Sequence, residues 1–170
     1  MDPALYTLRE GGRDDLALVR DLVKRHGRDL VCPEVREGPE ATARIEKSLG
    51  GLDFGWRAAD RRVLAFTQAG KLVAFASMRR DGDGQGNYGG QFGSEARLGQ
   101  VFTHPDHRGR GIMKALLLDQ IANAQAIGLR YVRLSVRRDN HAAISFYLSL
   151  GFRYYRDDSL TQDDYRLFFI

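Results

Sequence analysis

The stretch that most constrains what this chain can fold into runs from Leu98 to Met113, LGQVFTHPDHRGRGIM. Leu98, Val101 and Phe102 give it strand character, and Pro105 stops any ladder because proline has no N–H to offer. HRGRG follows, and a helical run opens at Ile112. A strand, a short Gly/Arg turn and a helix N-terminus make an anion site. The first helical N–H groups lack internal partners, and the helix dipole adds partial positive charge there. Gly109 and Gly111 let the backbone close around a phosphate with no Cβ in the way. Arg108, Arg110 and Lys114 add charge. The segment reads as a pyrophosphate cradle or, taken alone, as a solvated basic turn before a helix. It is not the GxxxxGK loop closed by Ser or Thr, nor the GxGxxG dinucleotide fingerprint.

Composition narrows the partners of such a cradle. The net charge of +4 and the pI of about 9.4 suit an acidic cofactor. That excess is too small to argue for nucleic acid, and no Lys/Arg block of the needed length appears. The 170 residues fit one domain, 1–170, and no apolar run approaches membrane-spanning length. The lone Cys32 excludes an internal disulfide and suits a reducing compartment. The opening residues carry no basic-then-apolar leader pattern, so the expected location is the cytoplasm. His26, His104, His107 and His141 have no closing set of metal ligands, so no metal is expected. His104 and His107 read as surface residues.

A second feature is NHAAISFYLSLGF, Asn140 to Phe152. Asn140 is a good N-cap, and Gly151 ends the helix. Ala143, Phe146, Tyr147 and Leu150 share one helical face. RGRGIM after a strand ending VFTHP, followed by N-x-x-A-x-x-F-Y-x-x-x-G-F, resembles the GNAT superfamily of acyl-CoA N-acyltransferases. In that family the first turn carries Gln or Arg, then Gly three positions on, then Gly or Ala two further. Arg108, Gly111 and Met113 hold those positions here. Met113 departs from the small residue usual there, and either crowds the cofactor or fills a gap.

The resemblance implies an α/β fold of the α+β GNAT type. Its mixed, mostly antiparallel central sheet has about seven strands, with a parallel β-α-β crossover from the fourth strand to the fifth and flanking helices. It implies acetyl-CoA as cofactor and an N-acetyltransferase that passes the acetyl group directly to a primary amine. Backbone groups of Val101, Phe102 and Thr103 would pair with the pantetheine arm. Arg108, Gly109, Arg110, Gly111, Ile112, Met113 and Lys114 would hold the phosphates. Asn140 would hydrogen-bond the arm, or cap its helix, or both. Tyr147 sits where the family carries the tyrosine that protonates the leaving thiolate; the bland alternative is a core tyrosine. Glu95, just before the fourth strand, is the best-placed carboxylate for a base, though it reads more readily as a solvated loop carboxylate. The expected partner is a small-molecule or peptide amine, with no nucleic acid and no membrane, and a homodimer stays open. The rivals are a degenerate GNAT module that binds acyl-CoA as sensor or scaffold, and an ATP-binding protein. The second would need a metal-binding Ser, Thr or Asp after the cradle, where Met113 and Lys114 stand.

The remaining elements follow from periodicity. A first strand near Tyr6 and Leu8 precedes a helix from Asp14 or Asp15 to Arg25, with Leu16, Val19, Leu22 and Val23 buried. A loop with Pro33 and a short helix over Glu40–Leu49 come next. Arg62–Gln68 and Leu72–Met78 form a hairpin about Ala69-Gly70-Lys71. Trp56 is unassigned. Asp81–Glu95 is glycine-dense and reads as a flexible connection, or as a lid carrying Tyr88 and Phe92. The fourth strand, Ala96–Thr103, has a bulge at Gly99. The next helix, Gly111–Ile127, buries Met113, Leu117, Ile121 and Ala124, and a strand over Tyr131–Val136 follows. Arg153–Asp157 and Tyr165–Phe169 close the sheet.

Overall fold

A computed structural model describes residues 2, 4–27, 38–81, 95–138, 140–155 and 164–169. The expected loop around Cys32 and Pro33, the glycine-dense connection with Tyr88 and Phe92, and Asp139 lie outside the described residues. The elements in order are β1 (Tyr6–Glu10), α1 (Leu16–His26), α2 (Gly38–Ala58), β2 (Arg61–Thr67), β3 (Leu72–Asp81) and β4 (Glu95–Thr103). They continue with α3 (Ile112–Ala126), β5 (Tyr131–Arg137), α4 (His141–Ser149), β6 (Arg153–Tyr155) and β7 (Asp164–Phe169). Strand order along the sheet is β1-β2-β3-β4-β5-β7-β6. The chain divides into two compact units, residues 1–78 with 99–120, and residues 79–98 with 121–170.

In the first unit β1, β2 and β3 pair antiparallel, with Leu8 opposite Ala65 and Leu64 opposite Phe75. Gly70 turns the β2–β3 hairpin at φ +78°, a conformation that glycine enters without Cβ strain. α1 is entered through a 3₁₀ turn, Arg13–Asp15, where the Asp15 carboxylate accepts the Gly12 N–H at 2.8 Å and pairs with Arg9. Val19, Leu22 and Val23 of α1 are buried, as their spacing predicts.

α2 is longer than the predicted helix. It runs straight through Gly50, Gly51 and Gly55, each of which costs a helix about 1 kcal/mol relative to Ala. Leu49, Leu52 and Trp56 lie beyond or at the predicted end, three and four residues apart, and all three are buried. Burying them outweighs three glycines. Trp56 is thereby assigned. It is fully buried, edge-on to Phe75 at 5.8 Å, and its indole N–H donates to the Gly12 carbonyl at 3.2 Å. Its own carbonyl accepts from buried Arg62 at 2.7 Å. Phe75 stacks in turn on Phe102 of β4.

In the second unit β4 and β5 pair parallel over three positions, Glu95–Arg97 against Tyr131–Arg133. The ladder stops there, although β5 continues to Arg137 and β4 to Thr103. β5 pairs antiparallel with β7, and β7 with β6. The mostly antiparallel sheet, the parallel β4-α3-β5 crossover and the flanking helices are those expected. Two buried faces are re-centred. α3 buries Ile112, Leu116, Leu117, Gln120, Ile121 and Ala124, with Met113 only half-buried. The burial of Gln120 is satisfied: its amide donates to the Ala76 carbonyl at 3.2 Å and accepts from Arg61 at 3.2 Å. α4 buries Ile144 and Tyr147, while Ala143, Phe146 and Leu150 are half-buried. Gly99 has a packing reason: a Cβ there would stand 2.6 Å from the Ser77 hydroxyl.

Candidate active site

β4 leaves the sheet at His104, whose N–H donates to the Val73 carbonyl at 2.8 Å. Pro105–His107 form one 3₁₀ turn, capped by His104 Nδ1, which accepts the Asp106 N–H at 3.2 Å. Gly109 and Gly111 both adopt φ +72°, the left-handed conformation that favours glycine. α3 then starts at Ile112, its first bond running from the Ala115 N–H to the Gly111 carbonyl. The N–H groups of Ile112, Met113 and Lys114 precede that bond, so they have no carbonyl one turn back within the helix. Arg108, Arg110 and Lys114 are exposed around them, and a Cβ on Gly109 would meet nothing within 4 Å. Open space, helical N–H groups and three cations fit a diphosphate.

The structure places the other anticipated residues unevenly. Val101 and Thr103 are half-buried, and Phe102 is a core side chain stacked on Phe75, so only its backbone can serve a ligand. The Thr103 carbonyl already accepts from Arg108 Nε at 3.1 Å, and the guanidinium also lies over the Phe102 ring. Asn140 is exposed, and its side chain caps α4 by accepting the Ala143 N–H at 3.2 Å.

Tyr147 is buried beside Phe146 and Phe152, at 5.5 and 5.7 Å between rings. Burial disfavours the phenolate and pushes its pKa up to about 12. The phenol therefore keeps its proton throughout the neutral range. Glu95 is no solvated loop residue. It is the first residue of β4, buried, and paired with Arg133 Nε of β5 at 3.1 Å.

His104 is not a surface residue either, and His107 is half-buried. His104 is 2% exposed, and its ring lies against that of His26 of α1, tilted, at 3.9 Å and meets His107 edge-on at 5.2 Å. Its Nε2 is buried with no hydrogen-bond partner among the described residues. Burial first, then His26 and Lys71, hold the His104 pKa below its ordinary value; burial, Arg110 and Lys71 do the same at His107. Among the described residues no three His, Cys, Asp or Glu side chains are grouped to hold a metal ion. Sequence reasoning also missed Tyr6, whose hydroxyl touches both His107 and Arg110. No local pattern could reveal a partner about a hundred residues away.

A strand that outruns its parallel neighbour, a left-handed glycine turn and a helix N-terminus are parts of an α/β protein, and the turn fits a phosphorylated ligand. Residues 29–152 match the family described as the acetyltransferase (GNAT) family, and the chain belongs to it. A mycothiol acetyltransferase of Actinosynnema mirum is 32% identical over 103 residues, 61% of this chain and 31% of that protein. The ribosomal protein bS18-alanine N-acetyltransferase of Escherichia coli K12 is 36% identical over 86 residues, 51% of each chain. The chain thus spans about half the length, or less, of these curated relatives. Among solved structures, a GNAT-family acetyltransferase of Staphylococcus aureus Mu50 superposes with a TM-score of 0.67 at 14% identity, covering 96% of this chain and 97% of that one. The PaiA N-acetyltransferase of Thermoplasma acidophilum, solved with coenzyme A, gives 0.65 at 20% identity, with coverage of 96% and 97%.

Proposed function

We propose that residues 1–170 form one acetyltransferase domain, acting in the cytoplasm, that moves an acetyl group from acetyl-CoA directly to a primary amine of a small molecule or peptide. The observation that carries this reading is the turn from Arg108 to Lys114, with its two left-handed glycines, leading into the N-terminus of α3. Acetyl-CoA supplies the acetyl group as a thioester, activated for attack by nitrogen. The turn, with Arg108, Arg110 and Lys114, binds the diphosphate, and the backbone of Val101–Thr103 and the Asn140 side chain line the arm.

In the transfer a C–N bond forms, the C–S bond breaks, and the amine gives up one proton. Alkylamines titrate near 10.4, so a base must take that proton before or during attack. Glu95, paired with Arg133, receives it directly or through one water. Tyr147, a neutral phenol, would be the hydrogen-bond donor to the departing sulfur. Full transfer from a pKa of about 12 to a thiolate whose acid titrates near 8.5 is uphill by roughly 3.5 units. Tyr147 therefore acts by a hydrogen bond that strengthens as charge grows on sulfur, and solvent supplies the final proton.

The names of the relatives refer to mycothiol and to a ribosomal-protein alanine, and so span both acceptor classes. The test of this reading is thermal unfolding with acetyl-CoA, with ATP–Mg and with neither. At 100 times Kd, binding adds about 2.7 kcal/mol, a rise of roughly 5–11 °C for a domain of this size. A rise with acetyl-CoA alone is expected, and a rise with ATP–Mg alone would overturn the reading.

A further inference from the structure

Tyr6 of β1 is buried, 4% exposed, and edge-on to the His107 ring at 5.7 Å. Its hydroxyl reaches Nδ1 of His107 at 3.0 Å and Nη1 of Arg110 at 3.3 Å. Chemistry fixes the direction of one bond. A guanidinium has no acceptor, so Arg110 donates to the Tyr6 oxygen. The other follows the state of His107: in the neutral tautomer protonated at Nε2, Nδ1 accepts the phenolic hydrogen, and when Nδ1 carries a proton it donates to the Tyr6 oxygen instead. The chain Arg110 to Tyr6 to His107 runs one way and stands only while His107 is neutral.

The surroundings favour that state. His107 is faced by Arg110, by Lys71 from the β2–β3 turn and by Asp106 of its own turn. His104 at the end of β4 lies against it, and in turn against His26 of α1. Burial and the two cations disfavour the imidazolium, and Asp106 only partly offsets them.

We propose that Tyr6 is a positioning residue for coenzyme A binding: its hydroxyl holds Arg110 of the phosphate turn in place while His107 accepts the phenolic hydrogen, and the grip on the diphosphate loosens when His107 is protonated. This rests on the reading of the turn as the coenzyme A site. A protonated His107 becomes a donor at Nδ1, reverses its bond to the Tyr6 oxygen and repels the guanidinium.

The experiment is calorimetric titration of coenzyme A into the wild type and Tyr6→Phe at about pH 8 and about pH 5, the range that brackets histidine protonation. Unfolding midpoints at each pH verify that the samples are folded. The ligand's own titration cancels in the ratio of the two Kd values. That ratio is expected to be roughly three- to ten-fold at the higher pH, the size of one lost hydrogen bond, and close to one at the lower. In a His107→Gln background, where the amide oxygen accepts without titrating, the effect of Tyr6→Phe is expected to be the same at both pH values. A ratio near one at the higher pH, or one unchanged by pH in the wild-type background, overturns the inference. A wild type that binds no coenzyme A at the higher pH overturns the cofactor reading, and this inference with it.

Discussion

Replacing Tyr147 with Phe isolates one hydroxyl in the proposed reaction. The ring stays between Phe146 and Phe152, so packing is kept and only the phenolic O–H is lost. A hydrogen bond to a charged group is worth about 1.5–3 kcal/mol, so kcat is expected to fall roughly 10- to 150-fold. The Kd of coenzyme A is expected to stay near the wild-type value, because the lost bond strengthens only as the thiolate forms. The assay is single-turnover acetyl transfer, which reads chemistry rather than product release, run from neutral to alkaline pH.

Burial makes a second, independent demand. With a folded pKa of about 12 against 10.0 unfolded, the phenol favours the folded state fully below about pH 10. Above that the unfolded chain loses its proton first, and about 3 kcal/mol is surrendered as pH rises through 12. Tyr147→Phe is expected to lessen this alkaline loss. An alkaline limb in wild-type kcat near pH 8 to 9 that disappears in Tyr147→Phe would refute the reasoning, because it would mean the phenol titrates as if exposed.

Other expected outcomes concern the frame around the site. Glu95→Gln leaves Arg133, 16% exposed, without that carboxylate, and is expected to cost about 3 kcal/mol as well as activity. Adding Arg133→Met should restore the urea midpoint but not turnover, and turnover that returns with stability would exclude Glu95 as base. Gly99→Ala puts a Cβ 2.6 Å from the Ser77 hydroxyl that accepts the Gln100 N–H, and is expected to cost about 1–3 kcal/mol in thermal unfolding. A wild-type midpoint would show that close approach is not why glycine stands there. His104 and His107 resist protonation, so the unfolded chain takes up protons first and stability is expected to fall as pH drops below 6.5. His104→Asn offers an oxygen to the Asp106 N–H without titrating, and should flatten that fall in denaturant melts at neutral and acid pH.

What the sequence by itself determined is the local code of the cradle and the last helix. Gly109 and Gly111 sit where the backbone needs positive φ, α3 opens at Ile112, Asn140 caps α4, and Gly151 ends it at φ +96°. Each of these is decided by sterics or hydrogen bonds within a few residues, so a short window contains the whole cause. The β2–β3 hairpin was legible for the same reason, through Gly70. Tertiary structure alone decided the rest. α2 persists through three glycines because Leu52 and Trp56 have a core to enter. Glu95 became a buried ion pair because β5 brings Arg133 beside it, and His104 became a core residue because α1 lays His26 against it. Tyr6 joined the phosphate turn across 104 residues of chain. Desolvation and long-range pairing set the charge and reach of these groups, and neither exists until distant segments have packed together.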